Sequence, residues 1–132
     1  MMTSILLVED HPIFAQVLLR FLQERGHLDV VSVAKSAEEA LDQIPTLELD
    51  LVLVDVSLPM RSGISLVIVL HEKYPDLPCV MLSGHRSSQY ARRSLDAGAR
   101  GYLIKDKADR ILEGIQHVLD GEIYVSEEVG DF

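Results

Sequence analysis

Four short apolar runs in this chain each lead straight into polar groups that can do chemistry. Ile5 to Val8 runs into Glu9 and Asp10, Leu51 to Val54 into Asp55, Val80 to Leu82 into Ser83, and Tyr102 to Ile104 into Lys105. Three carboxylates, a hydroxyl and an ammonium suit a divalent cation and a phosphoryl group. Two carboxylate charges at about 4 Å repel by about 4 kcal/mol at a surface-like dielectric. A hard cation with oxygen ligands relieves that repulsion, and Mg2+ does so with one or two carboxylates while leaving room for phosphate oxygens. On this reading Asp10 and Asp55 bind the cation and Glu9 acts through water. Asp55 is also a candidate nucleophile toward phosphorus, with Lys105 as a mobile positive charge on the transferring oxygens. Ser83 would move to donate to a phosphoryl oxygen, and Tyr102 would rotate inward with it. Each residue has a plainer reading: acids favoured by a helix dipole, a Ser-Gly turn, a surface lysine, a core tyrosine.

These groups meet only if the elements carrying them run the same way. Strand-like patterns at residues 4–8, 30–34, 51–55, 79–83 and 101–104 are apolar at successive positions, as in strands covered on both faces. Between them lie helical patterns. Ile13, Phe14, Val17, Leu18, Phe21 and Leu22 make one apolar stripe, with Pro12 suited to the first turn and Gly26 to the stop. Ser36 and Glu39 read as a capping box for a second helix ended by Pro45. A third helix runs from 62 to 74, apolar almost all round at Val67 to Leu70, which points to deep burial or an interface. A fourth covers 87–97, and a fifth carries Ile111, Leu112, Ile115, Val118 and Leu119. Five strand–helix units in series predict an α/β fold, an open doubly wound parallel sheet with helices on both faces. All five strands then end on one edge. Residues 122–132 lack periodicity and read as a short strand or linker.

The 132 residues suffice for one domain, and the net charge is −9. An acidic chain repels the DNA backbone, so no nucleic-acid partner is expected for these residues alone. Between Arg86 and Arg110, however, seven basic residues face only three acidic ones. Cys79, the single cysteine, sits inside a strand pattern and reads as a buried, inert thiol in a reducing compartment. No apolar run reaches membrane-spanning length and no signal peptide is visible, so a soluble cytoplasmic protein without a membrane partner is expected.

The ordered set Glu9-Asp10, Asp55 with Pro59 and Gly63, Ser83-Gly84, and Lys105 resembles the receiver domain of two-component response regulators. The resemblance covers Ile5 to about Gly121, which implies a receiver domain at 1–121 and a linker or tail at 122–132. It implies a five-stranded flavodoxin-like (βα)5 sheet of order 2-1-3-4-5. It makes Asp55 the phosphoacceptor for a sensor histidine kinase or a histidine phosphotransfer domain, and Lys105 the phosphate-binding lysine. Ser83 becomes the switch hydroxyl and Tyr102 the switch aromatic. Mg2+ would sit on Asp10, Asp55 and the backbone carbonyl of Ser57. Output and homodimerisation are expected on the fourth helix, fifth strand and fifth helix. Ser57 and His85 occupy positions that influence phosphoryl lifetime. Wording such as Glu9-Asp10-His11-Pro12 and Gly121 to Ser126 is similar to the NarL/FixJ-type regulators, which continue into a helix-turn-helix domain. The chain ends at Phe132, so it reads as such a transcriptional regulator shortened before its DNA-binding domain, or as a free-standing receiver. Beyond self-phosphorylation and self-dephosphorylation no enzyme activity is expected. Two rivals are a module that binds partners without phosphorylation and an aspartyl-phosphate phosphohydrolase. The hydrolase needs a second carboxylate two residues after the nucleophile, where this chain has Ser57.

Overall fold

The computed structural model describes residues 2–130. Strands β1 (Thr3–Val8), β2 (Leu28–Ala34), β3 (Leu51–Asp55), β4 (Cys79–Ser83), β5 (Gly101–Ile104) and β6 (Tyr124–Val125) alternate with helices α1 (Pro12–Gly26), α2 (Ala37–Gln43), α3 (Gly63–Lys73), α4 (Ser88–Asp96) and α5 (Ala108–Leu119). No helix lies between α5 and β6. All the strands are parallel, in the order β2-β1-β3-β4-β5-β6. The expected five-strand order is present, and a sixth strand is added. Tyr124 and Val125 favour extended structure, and their pairing covers an edge that β5 would otherwise leave open.

The strands are buried on both faces because each alternates its side chains between two aliphatic layers. Leu6, Val8, Val52, Val54, Met81 and Tyr102 pack with Ala37, Ala40, Leu66, Val67, Leu70 and Ala91 from α2, α3 and α4. Ile5, Leu7, Leu51, Leu53, Val80, Leu82 and Leu103 point the other way, onto Ala15, Leu18 and Leu22 of α1 and Ile111, Ile115 and Val118 of α5. α3 is deeply buried at Leu66, Val67 and Leu70 and leaves Ile68 exposed. Cys79 is buried, which pushes its thiol up to about 12.

The ends of the helices follow local chemistry. Pro12 occupies the first turn of α1, and the Ser36 hydroxyl accepts the Glu39 N–H at the start of α2. The Glu39 carboxylate does not close a reciprocal box; it accepts from Gln43 one turn on. At the end of α1 it is His27, not Gly26, that takes the left-handed conformation, with φ of 54°. Gly26 serves close packing instead, since a Cβ there would lie 2.6 Å from the Leu112 side chain of α5.

Candidate functional site

Register gathers the site. Val8 pairs with Val54, Asp55 with Leu82, and Ser83 with Ile104, so the residues closing β1, β3, β4 and β5 share one edge. Glu9 continues the ladder through its N–H to the Ala34 carbonyl, and Lys105 does so through its N–H to the Ser83 carbonyl. The β3–α3 connection is folded back tightly: the Gly63 N–H donates to the Val56 carbonyl at 2.9 Å. A Cβ on residue 63 would lie 2.1 Å from the Asp55 carbonyl oxygen, so only glycine lets α3 start this close to the end of β3.

Glu9 and Asp55 are both only 1% exposed. The Lys105 ammonium stands between them, 2.7 Å from Glu9 Oε1 and 3.1 Å from Asp55 Oδ2, and 4.8 Å above the Phe14 ring. The other Asp55 oxygen, Oδ1, accepts the Ser57 N–H at 3.0 Å. His11, which the motif reasoning passed over, completes the rim. Its Nδ1 lies 2.8 Å from Glu9 Oε2, 3.4 Å from Asp10 Oδ1 and 3.9 Å from Asp55 Oδ2. Its position directly after the acidic pair was the available signal.

The two buried carboxyls are held at different proton affinities. Burial raises Glu9, but the Lys105 ammonium at 2.7 Å and the hydrogen bonds from His11 more than offset it, and the carboxyl ends below its ordinary value. Burial also raises Asp55. There the Ser57 N–H and the Lys105 ammonium oppose it less effectively, the Glu9 charge adds to it, and Asp55 stays above its ordinary value. The hydrogen bond to Glu9, with the nearby acidic charges, raises His11.

Ser83 and Tyr102 reach the same edge but not the carboxylates. The Ser83 hydroxyl accepts the His85 N–H at 2.9 Å, and the fully buried Tyr102 hydroxyl donates to the His85 carbonyl at 2.7 Å. Burial pushes the Tyr102 phenol up. The fold therefore brings together Glu9, Asp10, His11, Asp55 and Lys105. It ties Ser57 to them through its amide, and places Ser83 and Tyr102 beside them as a neutral pair joined through His85.

The donors fit a hard divalent cation. Glu9, Asp10, His11 and Asp55 each offer a ligand atom, all within 4.8 Å of one another. Glu9 Oε1, Asp10 Oδ1 and Asp55 Oδ2 are buried without an aligned hydrogen-bond donor among the described residues; Lys105 faces the first and third of them only as a charge. Buried carboxylate oxygens left in that state are costly unless a cation or an ammonium compensates them.

A parallel α/β sheet with a polar rim on its carboxyl edge is the class to which ligand-binding flavodoxin-like domains belong. Within that class, the response regulator receiver domain family matches residues 5–116, and the chain belongs to that family. It is 38% identical over 125 residues to the transcriptional activator protein ExaE of Pseudomonas putida, covering 94% of this chain and 58% of that protein. It is 31% identical over 129 residues to the transcriptional regulatory protein LnrK of Bacillus subtilis strain 168, covering 97% and 59%. The chain thus spans little more than half the length of the curated relatives it matches. Among solved structures it resembles a LuxR-family two-component response regulator from Aurantimonas sp. SI85-9A1, with TM-score 0.92 and 27% identity over 98% of this chain and 93% of that one. It also resembles a CheY-like receiver domain protein from Methanospirillum hungatei JF-1, with TM-score 0.82 and 30% identity over 92% and 96%. No helix among the described residues is long and apolar enough to cross a membrane.

Proposed function

We propose that Asp55 accepts a phosphoryl group from a phosphohistidine on a sensor kinase or phosphotransfer domain. The observation that carries this reading is the buried Asp55 Oδ2, 3.1 Å from the Lys105 ammonium on the acidic rim. A carboxylate oxygen of Asp55 forms the new O–P bond as the donor's N–P bond breaks, and the donor imidazole leaves with that electron pair. Lys105, already within 3.1 Å, follows charge onto the transferring oxygens. Asp10, Asp55 and the Ser57 carbonyl would hold Mg2+, with Glu9 acting through water. When bound, that ion supplies positive charge against the phosphoryl oxygens. Ser83 would release the His85 N–H to engage the phosphoryl group, and Tyr102, which shares His85, would shift with it. The added charge need favour the active arrangement by only a few kcal/mol to shift the population. The changed surface of α4, β5 and α5 then meets a partner or a second copy.

The reaction is a single self-modification and its reversal. We read the domain as the receiver part of a cytoplasmic transcriptional regulator, because relatives so named extend well beyond the matched length. Contact with DNA would belong to a region outside these residues. Incubation with Mg2+ and a small acyl phosphate, followed by mass spectrometry of borohydride-reduced peptides, should place one label on Asp55. A label elsewhere, or an unlabelled folded protein, overturns the assignment.

A further inference from the structure

The edge of β5 is covered by the chain's own C-terminal segment. β6 pairs Tyr124 with Gly101 and Val125 with Tyr102. The Tyr124 N–H donates to the Arg100 carbonyl at 3.1 Å and the Ser126 N–H to the Tyr102 carbonyl at 3.0 Å. The Ser126 hydroxyl then takes over where the strand stops and accepts the Ile104 N–H at 3.1 Å. Beyond it the 3-10 turn Glu127–Val129 buries Val129 against the layer formed by α2, α3 and α4. On the opposite layer Tyr124 stacks on His117, with ring centroids 4.9 Å apart, and its hydroxyl donates to Glu113 at 3.2 Å. His117 is paired with Glu122, and Arg110 lies 3.8 Å from Glu127.

The strap thus holds two residues with special positions. Tyr102 carries the ring whose hydroxyl is tied to His85, and Ile104 directly precedes Lys105. Its own strand is only two residues long, so each of these ties is a large share of what holds it. We propose that residues 122–130 form a releasable strap that reads the state of β5, and that a phosphoryl group on Asp55 loosens it. This rests on the phosphoacceptor reading above. When Lys105 turns from Glu9 toward a phosphoryl group and Tyr102 leaves His85, the backbone at 102–105 shifts. The side-chain bond from Ser126 to Ile104 is the first tie to be lost.

Coupling of this kind is reciprocal. The test uses the whole chain with Mg2+ and the phosphomimetic BeF3–, its binding followed by fluorine NMR and its effect by residue-resolved amide exchange. With BeF3– bound, the amides of Ile104, Tyr124 and Ser126 should exchange at least about fivefold faster. Ser126→Ala should expose the same amides without BeF3– and bind it about fivefold more tightly. Val129→Ala gives a second, milder loosening and should tighten binding in the same direction. Unchanged exchange in the bound protein, or wild-type BeF3– affinity in both folded variants, overturns the strap while leaving the phosphoacceptor reading intact. Absence of BeF3– binding by the wild type overturns both.

Discussion

The two halves of the rim are built on opposite principles. At the ends of β1, β3 and β5 it is charged, buried and incompletely hydrogen-bonded: Glu9, Asp55 and Lys105 face one another with oxygens left over. At the end of β4 and within β5 it is neutral and satisfied: Ser83, His85 and Tyr102 exchange two well-placed hydrogen bonds. The charged half stores electrostatic cost that a ligand can relieve. The neutral half trades hydrogen bonds of about 1 kcal/mol each, which makes it cheap to rearrange. The acceptor and switch roles proposed for them need both properties, and the fold keeps the two groups on neighbouring strand ends.

Asp55→Asn separates the halves most sharply. It should abolish acyl-phosphate labelling, read by mass spectrometry, while stabilising the fold without divalent cation by about 1 kcal/mol at pH 7. Burial, together with the Glu9 charge, raises Asp55. The folded state therefore holds that proton more tightly than the unfolded chain does. The stability Asp55 contributes is full below the ordinary carboxylate range and is lost as pH rises through it to the raised value. The neutral amide escapes that loss, so the variant's advantage in urea melts should vanish in acid. Lys105→Met is next. Removing the partner of two buried carboxylates should cost about 3 kcal/mol in metal-free buffer, with Mg2+ restoring part of it and binding more tightly than in the wild type. Equal melts for variant and wild type would show that Lys105 does not compensate the cluster.

Tyr102→Phe touches only the neutral half. Loss of its bond to the His85 carbonyl should cost about 1 kcal/mol and leave Mg2+ affinity, measured by calorimetry, unchanged. A changed affinity would mean that the two halves are already coupled before phosphorylation. The smallest effect is expected at the outer rim. Met60 is 99% exposed and holds φ at 67°, a region costly for a side chain. Met60→Gly should therefore stabilise by about 0.5 kcal/mol, after the extra freedom of glycine in the unfolded chain is counted, and leave labelling untouched.

Much of this was legible beforehand for a physical reason. Continuous apolar runs of strand length admit few arrangements other than a sheet covered on both sides, and helical stretches between them force parallel connections. The polar residue closing each run is then carried to one edge whatever the details. β3, β4 and β5 begin and end where the pattern of Leu51, Cys79 and Gly101 placed them. Less was legible where short-range signals compete. Residues 122–132 read as a short strand or linker, and because Tyr124 and Val125 are too few to show a period, only the pairing with β5 decides for the strand β6. Likewise His11, next to Pro12 at the start of α1, meets Asp55 only when β3 arrives beside it.

The sequence alone determined which chemical groups sit at the rim and that they share it, because strand direction and side-chain alternation are local properties that repeat along the chain. Tertiary structure alone decided how those groups differ. Glu9 is lowered and Asp55 raised although both are buried and face the same lysine, because Glu9 accepts hydrogen bonds from His11 while the Glu9 charge adds to the burial of Asp55. Ser83 bonds to His85 rather than to the acids, and the β5 edge is closed from within the chain. Such differences depend on distances of a few ångströms between remote segments, where Coulomb and hydrogen-bond energies change steeply, and no local pattern encodes them.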